Sequence, residues 1–259
     1  MNFDPVAHVY DATRGLPAPV SEFVADRIVA ATNAGPDTNF LEVGVGTGRI
    51  ALPLVRRGYR FTGVDISDGM LQQFRAKAGD PPNLTLLQSD VTKLPLPDRS
   101  QDVALAVHVF HLIPEWPKAL EEVRRVLRPD GSFVWGGNHS PGDHPGRVIR
   151  RQWATFVEEL GGAMRPRHAE WEDIQAETTA QGAYTAVYRA ARWRVEFRPI
   201  DLMTNLHDRV FSAGWTVQQE ILDEAHERLQ VWGREQLGDL ERPVEGYEEF
   251  LVHVTQWPH

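Results

Sequence analysis

Between residues 40 and 50 the chain runs Phe40-Leu41-Glu42-Val43-Gly44-Val45-Gly46-Thr47-Gly48-Arg49-Ile50. The apolar run Phe40, Leu41, Val43 reads as a short buried strand, the glycines as a turn, and Arg49-Ile50-Ala51-Leu52 as the first turn of a helix. Glycine admits positive φ and lets backbone approach a ligand closely. A helix start after such a turn offers unpaired N–H groups and the positive end of a dipole, suited to polar or anionic parts of a nucleotide-like ligand. The spacing is G-x-G-x-G, with a glutamate two residues before the first glycine. Dinucleotide sites use G-x-G-x-x-G instead.

From there strand and helix patterns alternate. Strands are predicted over 39–43, 59–64, 84–88, 102–107 and 132–135, and helices over 47–57, 68–77 and 117–127. Gly58 suits the C′ position of the first helix. Arg128-Pro129-Asp130-Gly131 reads as a tight turn before the fifth strand, and Gly136-Gly137 as that strand's end. Short apolar strands separated by helices specify an α/β fold, a doubly wound and mostly parallel sheet covered on both faces. In such a sheet the ligand lies beyond the carboxyl ends of the strands, where strand order switches. That rule singles out the glycine turn, Asp65, Asp90, residues 108–111 and residues 136–139.

The flanks are less regular. Residues 3–35 read as helical, with Ser21 as an N-cap and Gly35-Pro36 as the stop. Past the core, helices are predicted over 145–162, 168–181 and 200–240, one long strand or two over 184–198, and a last strand over 247–254. The organisation is an N-terminal helical lid (1–38), a core (39–137), a helical extension (138–183), a strand (184–198), a second helical insertion (199–243) and a last strand (244–259). The extra helical regions carry Trp153, Trp171, Trp215 and Trp232, which suit either a cap over an acceptor pocket or ordinary core. Arg189, Arg192, Trp193 and Arg194 are candidates to face such a pocket.

Two acids stand at strand ends. Asp65 follows the second strand, where a carboxylate accepts from both ribose hydroxyls of a nucleoside; a helix N-cap at Asp65 or Ser67 is the alternative. Asp90 ends the third strand and is followed by Val91 and the loop Leu94-Pro95-Leu96-Pro97-Asp98.

These segments resemble, in order and spacing, the class I S-adenosylmethionine (SAM) methyltransferases, and within them the small-molecule branch similar to ubiquinone and menaquinone C-methyltransferases. The resemblance rests on Glu42-x-Gly44-x-Gly46-x-Gly48, on Asp90-Val91 with its Leu-Pro loop, and on Pro97-Asp98-Arg99-Ser100-Gln101-Asp102-Val103. Phe110-His111-Leu112 and Glu121 through Gly131 continue it, so it covers about residues 40–137. Gln101 stands where the family has an aromatic residue, and past residue 140 the likeness fades. It implies a Rossmann-like seven-stranded sheet with helical cap insertions, SAM as methyl donor, S-adenosylhomocysteine (SAH) as product and a small-molecule acceptor. By the same resemblance Glu42 lies near the methionine end of SAM, and Gly44, Gly46 and Gly48 form the turn packed on it. Asp65 holds the ribose, Ile66 or Met70 covers the adenine, Asp90 and Val91 read it, and Val107 and His108 line the methionine side. Tyr10 and Arg14 close over the donor.

Methyl transfer from a sulfonium needs mainly alignment and exclusion of water. A general base is required only for a hydroxyl or acidic carbon, and His108 and His111 are the candidates. No grouping of His, Asp and Glu has metal-ligand spacing, so no catalytic metal is expected. A net charge of −9 without a basic stripe argues against a nucleic-acid substrate. The chain lacks cysteine, which excludes disulfides and thiolate catalysis. With no signal-like N-terminus and no apolar run of membrane-spanning length, a cytoplasmic monomer or homodimer is expected. The competing readings are a SAM-binding protein without catalysis, a protein or RNA methyltransferase, and an NAD-dependent oxidoreductase.

Overall fold

The computed structural model describes Asp4, Ala7, Asp11 and residues 15–164 and 168–258. It divides into two compact units: residues 1–138, 167–191 and 250–259 form the first, and 139–166 with 192–249 the second.

The first unit is built on the expected alternation. Helix α1 (Ala18–Thr32) precedes β1 (Asn39–Val43), α2 (Ala51–Arg56), β2 (Arg60–Asp65), α3 (Asp68–Ala78), β3 (Leu84–Gln88), β4 (Gln101–Val107), α4 (Trp116–Val126) and β5 (Leu127–His139). Beyond these lie α5 (Pro145–Glu159), α6 (Trp171–Ala180), β6 (Tyr184–Phe197), α7 (Pro199–His207), α8 (Gln219–Leu237) and β7 (Val244–Gln256). One seven-stranded sheet runs in the order β3-β2-β1-β4-β5-β7-β6. The pairs β1–β2, β1–β4, β2–β3 and β4–β5 are parallel. Strand order therefore switches at β1, between β2 and β4. The glycine turn leaves the sheet there.

Burial follows the apolar pattern. Leu41, Val43, Val64, Ala104, Phe133 and Trp135 are buried in one core with Leu120, Val123 and Val126 of α4. Trp171 packs against this core, edge-on to Trp135. The second unit has its own core of Ile149, Trp153 and Val157 from α5, Leu202 and Leu206 from α7, and Leu222 and Leu229 from α8, with Trp232 against it. Trp153, Trp171 and Trp232 are thus core residues, and the Trp215 indole donates to the Arg209 carbonyl.

Several predicted boundaries shift. Helix α1 starts at Ala18 behind Pro17, so Ser21 lies inside it, and left-handed Asn33 ends it before Gly35-Pro36. Helix α2 starts at Ala51, not at residue 47. Gly48 takes φ +77°, and a Cβ there would lie 2.3 Å from the Phe74 ring, so the chain is still turning where a helix was expected. Gly58 does follow this helix with positive φ. Strand β5 runs three residues past Gly136 to His139. Residues 128–131 interrupt its pairing as a bulge: Gln101 pairs with Leu127, and the next partners are Val103 and Ser132. The stretch 200–240 is two helices, because Arg209 takes φ +56° after α7 and the chain turns through Ser212–Gly214 before α8. Residues 184–197 form one strand. No helix of the described residues is long and apolar enough to cross a membrane.

Candidate active site

A cavity of about 320 Å³ opens at the carboxyl ends of β1, β2, β3 and β4, all within the first unit. Its lining includes Glu42, Gly44, Gly46, Asp65, Ile66, Met70, Asp90, Val91, Val107 and His108, so residues distant in sequence meet in one place. Gly48 and His111 are not among its walls. Gly48 packs on Phe74, while the His111 carbonyl accepts from the His168 N–H at 3.2 Å. Tyr10 and Arg14 lie outside the described residues. Arg192 and Arg194 pair with Glu249 and Glu245 in the second unit and do not line this cavity.

The glycine turn owes its shape to contacts on both sides. Gly44 and Val45 donate their N–H groups to the Val64 carbonyl, and Gly46 donates to Asp65 Oδ2 at 2.8 Å. A Cβ on Gly44 would lie 2.2 Å from Val109, so only glycine fits between β1 and the loop after β4. Asp65 Oδ1 accepts from Ser67 N–H at 2.9 Å, and Ser67, not Asp65, caps α3 by accepting from Met70 N–H. Burial raises the Asp65 carboxyl above its ordinary range, against the pull of the Ser67, Gly46 and Ile66 N–H groups. Asp90 is exposed. The Thr92 N–H and hydroxyl, each 2.8 Å from Oδ1, hold its carboxyl below the ordinary range.

Glu42 differs from both. Its side chain sits at the carboxyl end of β1, only 3 % exposed, and its Oε2 has no hydrogen-bond partner. Burial pushes its carboxyl up to about 8; Arg49 opposes the shift and Asp65 adds to it. The lining thus carries the carboxylates of Glu42, Asp65, Asp90 and Glu115 against one guanidinium, Arg49. Such a wall attracts cations and repels a pyrophosphate.

His108 takes φ +54°, a left-handed conformation uncommon outside glycine, though histidine shares with asparagine and aspartate a raised frequency there. Its ring is held at Nε2 by the Asn138 N–H at 3.2 Å and packs edge-on to Phe250. A Cβ on Gly137 would lie 2.3 Å from the ring, so Gly137 is the space His108 occupies.

Two lining features, and one contact behind them, were not singled out from sequence. Thr47 is 1 % exposed and its hydroxyl donates to Asp11 Oδ1 at 2.5 Å. Lys77 Nζ meets Asp11 Oδ2 at 2.6 Å, so the Asp11 carboxylate links the turn to α3. Leu112, Ile113 and Pro114, after β4, supply an apolar wall.

Comparison with known proteins agrees with this geometry. A family model described as a methyltransferase domain matches residues 41–135. A demethylmenaquinone methyltransferase of Streptomyces avermitilis is 35% identical over 216 residues, covering 83% of this chain and 84% of that protein. A phosphatidylethanolamine N-methyltransferase of Cereibacter sphaeroides is 33% identical over 156 residues, 59% of this chain and 74% of that one. Among solved structures, a phosphoethanolamine N-methyltransferase of Haemonchus contortus, in complex with phosphomonomethylethanolamine and S-adenosylhomocysteine, superposes with a TM-score of 0.57 at 14% identity, over 99% of this chain and 58% of that one. The seven-stranded order switching at β1, the glycine turn and the extent of these matches agree: the chain belongs to the SAM-dependent methyltransferase family.

Proposed function

We propose that this enzyme moves the methyl group of SAM to a small organic acceptor, and that the cavity at the ends of β1–β4 holds the donor. The observation that carries the site assignment is Glu42. A buried carboxyl with an unpartnered oxygen keeps its proton until a cation meets it and stabilises the ionised form. SAM carries two cationic centres, an ammonium and a sulfonium, whereas NAD would bring phosphates to an acidic wall. The acceptor class follows from the relatives, whose names range from a quinone to an amine-bearing lipid.

SAM, when bound, supplies an electrophilic methyl group on a sulfonium, so the leaving group is already activated. Each lining residue then has a holding role. Glu42 faces the ammonium, Gly44 and Gly46 let backbone pack on the ligand, and Asp65 accepts from the ribose through lone pairs that its backbone N–H partners leave unused. Asp90 Oδ2 accepts from the adenine amino group, Val91 N–H donates to the ring, and Ile66 and Met70 cover it. Val107 and His108 border the methionine side. Alignment of this kind contributes roughly 7–11 kcal/mol of a barrier.

His108 borders the methionine side with its Nε2 3.2 Å from the Asn138 N–H and 3.3 Å from Asn138 Oδ1, and it is the candidate general base for a hydroxyl or acidic carbon acceptor. His111, outside the cavity, has a structural part through its carbonyl. We place the enzyme in the cytoplasm, where its methyl donor is made, as a monomer or homodimer with no nucleic-acid partner.

Calorimetry with SAM on wild type and Asp65→Ala tests the site. The variant should bind about 1.5–3 kcal/mol more weakly, the cost of losing hydrogen bonds to a charged group. Unchanged affinity in a folded variant would remove the ribose role. SAH production across a metabolite panel tests the activity, and a donor-binding protein that turns over no acceptor would leave only the binding half of the reading.

A further inference from the structure

The first unit has a second cavity, of about 220 Å³, at the opposite end of the sheet, where β4 and β5 begin. Arg99, Arg124 and Arg128 line it, with Trp257 as an aromatic wall and Leu127 and Gly131 at its floor. No carboxylate is among its described lining residues. The charges around it are unevenly matched. Arg125, next along α4, is satisfied by Glu122 and Asp98, and Arg128 pairs with Asp102. Arg99 and Arg124 have no carboxylate partner among the described residues. Arg124 is nevertheless held in place: its guanidinium lies 5.5 Å over the Trp257 ring and donates to Gln181 Oε1, which also accepts from the Trp257 indole. Arg99 takes φ +52°, a strained conformation for a long side chain.

We infer that this cavity binds the phosphate group of a small phosphorylated compound, with Arg99 and Arg124 supplying the charge and Trp257 flanking the carbon atoms next to the phosphate. The three arginines are exposed and Asp130 stands between the lining residues Pro129 and Gly131, yet two guanidinia without a carboxylate partner among the described residues flank one hollow and favour an anion there. Guanidinium forks match phosphate oxygens two at a time. The volume is below the roughly 300–1,000 Å³ of pockets for drug-sized ligands, so the ligand is compact and not a dinucleotide. Because the methyl donor's cavity is at the other end of the same strands, this compound is not the methyl acceptor. It binds as an effector or structural ligand.

The test is calorimetric titration of the full chain at constant ionic strength with inorganic phosphate, glycerol 3-phosphate and AMP. Saturable binding of at least one probe is expected, weakened tenfold or more in Arg99→Gln/Arg124→Gln, with SAH affinity unchanged within about twofold. Equal binding of phosphate and its esters assigns the site to the free anion, and tighter ester binding assigns it to a phosphomonoester. If the double variant fails to bind SAH, the single variants Arg99→Lys and Arg124→Lys take its place, each expected to weaken the probe about threefold or more. The inference falls if no probe saturates, if the variants bind as wild type does, or if phosphate competes with SAH.

Discussion

Shutting a carboxylate away from water raises its affinity for a proton, and Glu42 is the clearest case in this chain. With a value of about 8 it is mostly protonated at pH 7 in the donor-free protein. A cation beside it lowers that value, so SAM binding at pH 7 releases close to one proton, about 0.9 if ionisation is complete. Calorimetry in buffers of unequal ionisation enthalpy should show this release, and Glu42→Gln should abolish it. No release in wild type would put the ammonium elsewhere. The stability effect has a definite sign. The folded value of about 8 exceeds the ordinary 4.5, so the native state holds the extra proton between them and ionisation opposes folding as pH rises through that window. Glu42→Gln should therefore melt higher than wild type at pH 8.5 and close to it at pH 4. The resemblance to class I methyltransferases implied that Glu42 lies near the methionine end of the donor. Its depth was not legible, since depth depends on Arg49, Asp65 and the strands around it. Gln101 is a second case. The sequence marked it as a departure from an aromatic position, and the structure shows what this costs, a buried Oε1 without a partner.

Elements were legible where a period was long and uninterrupted. The strands β1 to β4 and the apolar face of α4 fall close to expectation because alternation and helical spacing act locally. The late start of α2 and the bulge in β5 were hidden, being set by Phe74 against Gly48 and by the pairing with β4. Strand β7 shows another property that no local pattern carries. Its His253 stacks on Trp135 at 3.9 Å and has no partner at either ring nitrogen, and burial holds it down to about 4. Here the folded value is below the ordinary 6.5, so the unfolded chain binds the extra proton first. Stability contributed by the neutral ring is complete above pH 6.5 and is lost as pH falls toward 4. His253→Phe keeps a flat ring on Trp135 and removes the titration. Urea denaturation at pH 7 and pH 4.5 should show a smaller loss for the variant than for wild type, and equal losses would assign the acid sensitivity to other groups.

At the scale of the molecule, the chain interleaves two units, each with a core of its own. The two units divide within β6, between residues 191 and 192, and within β7, between residues 249 and 250, so each of these long strands has parts in both units. A sequence period can reveal a long strand but not a division partway along it. Ligand linkage acts on the whole protein: SAH at a hundred times its Kd adds about 2.7 kcal/mol of stability. For a chain of this size that raises Tm by about 5–10 °C. Thermal melts should show that rise with SAH and none with NADH; the reverse would point back to a dinucleotide enzyme. Asp11 joins two elements of the first unit: its carboxylate accepts from the Thr47 hydroxyl on the cavity wall and from the Lys77 ammonium on α3. One side chain thus fastens the glycine turn to the helix after β2, and losing that carboxylate frees both attachments at once.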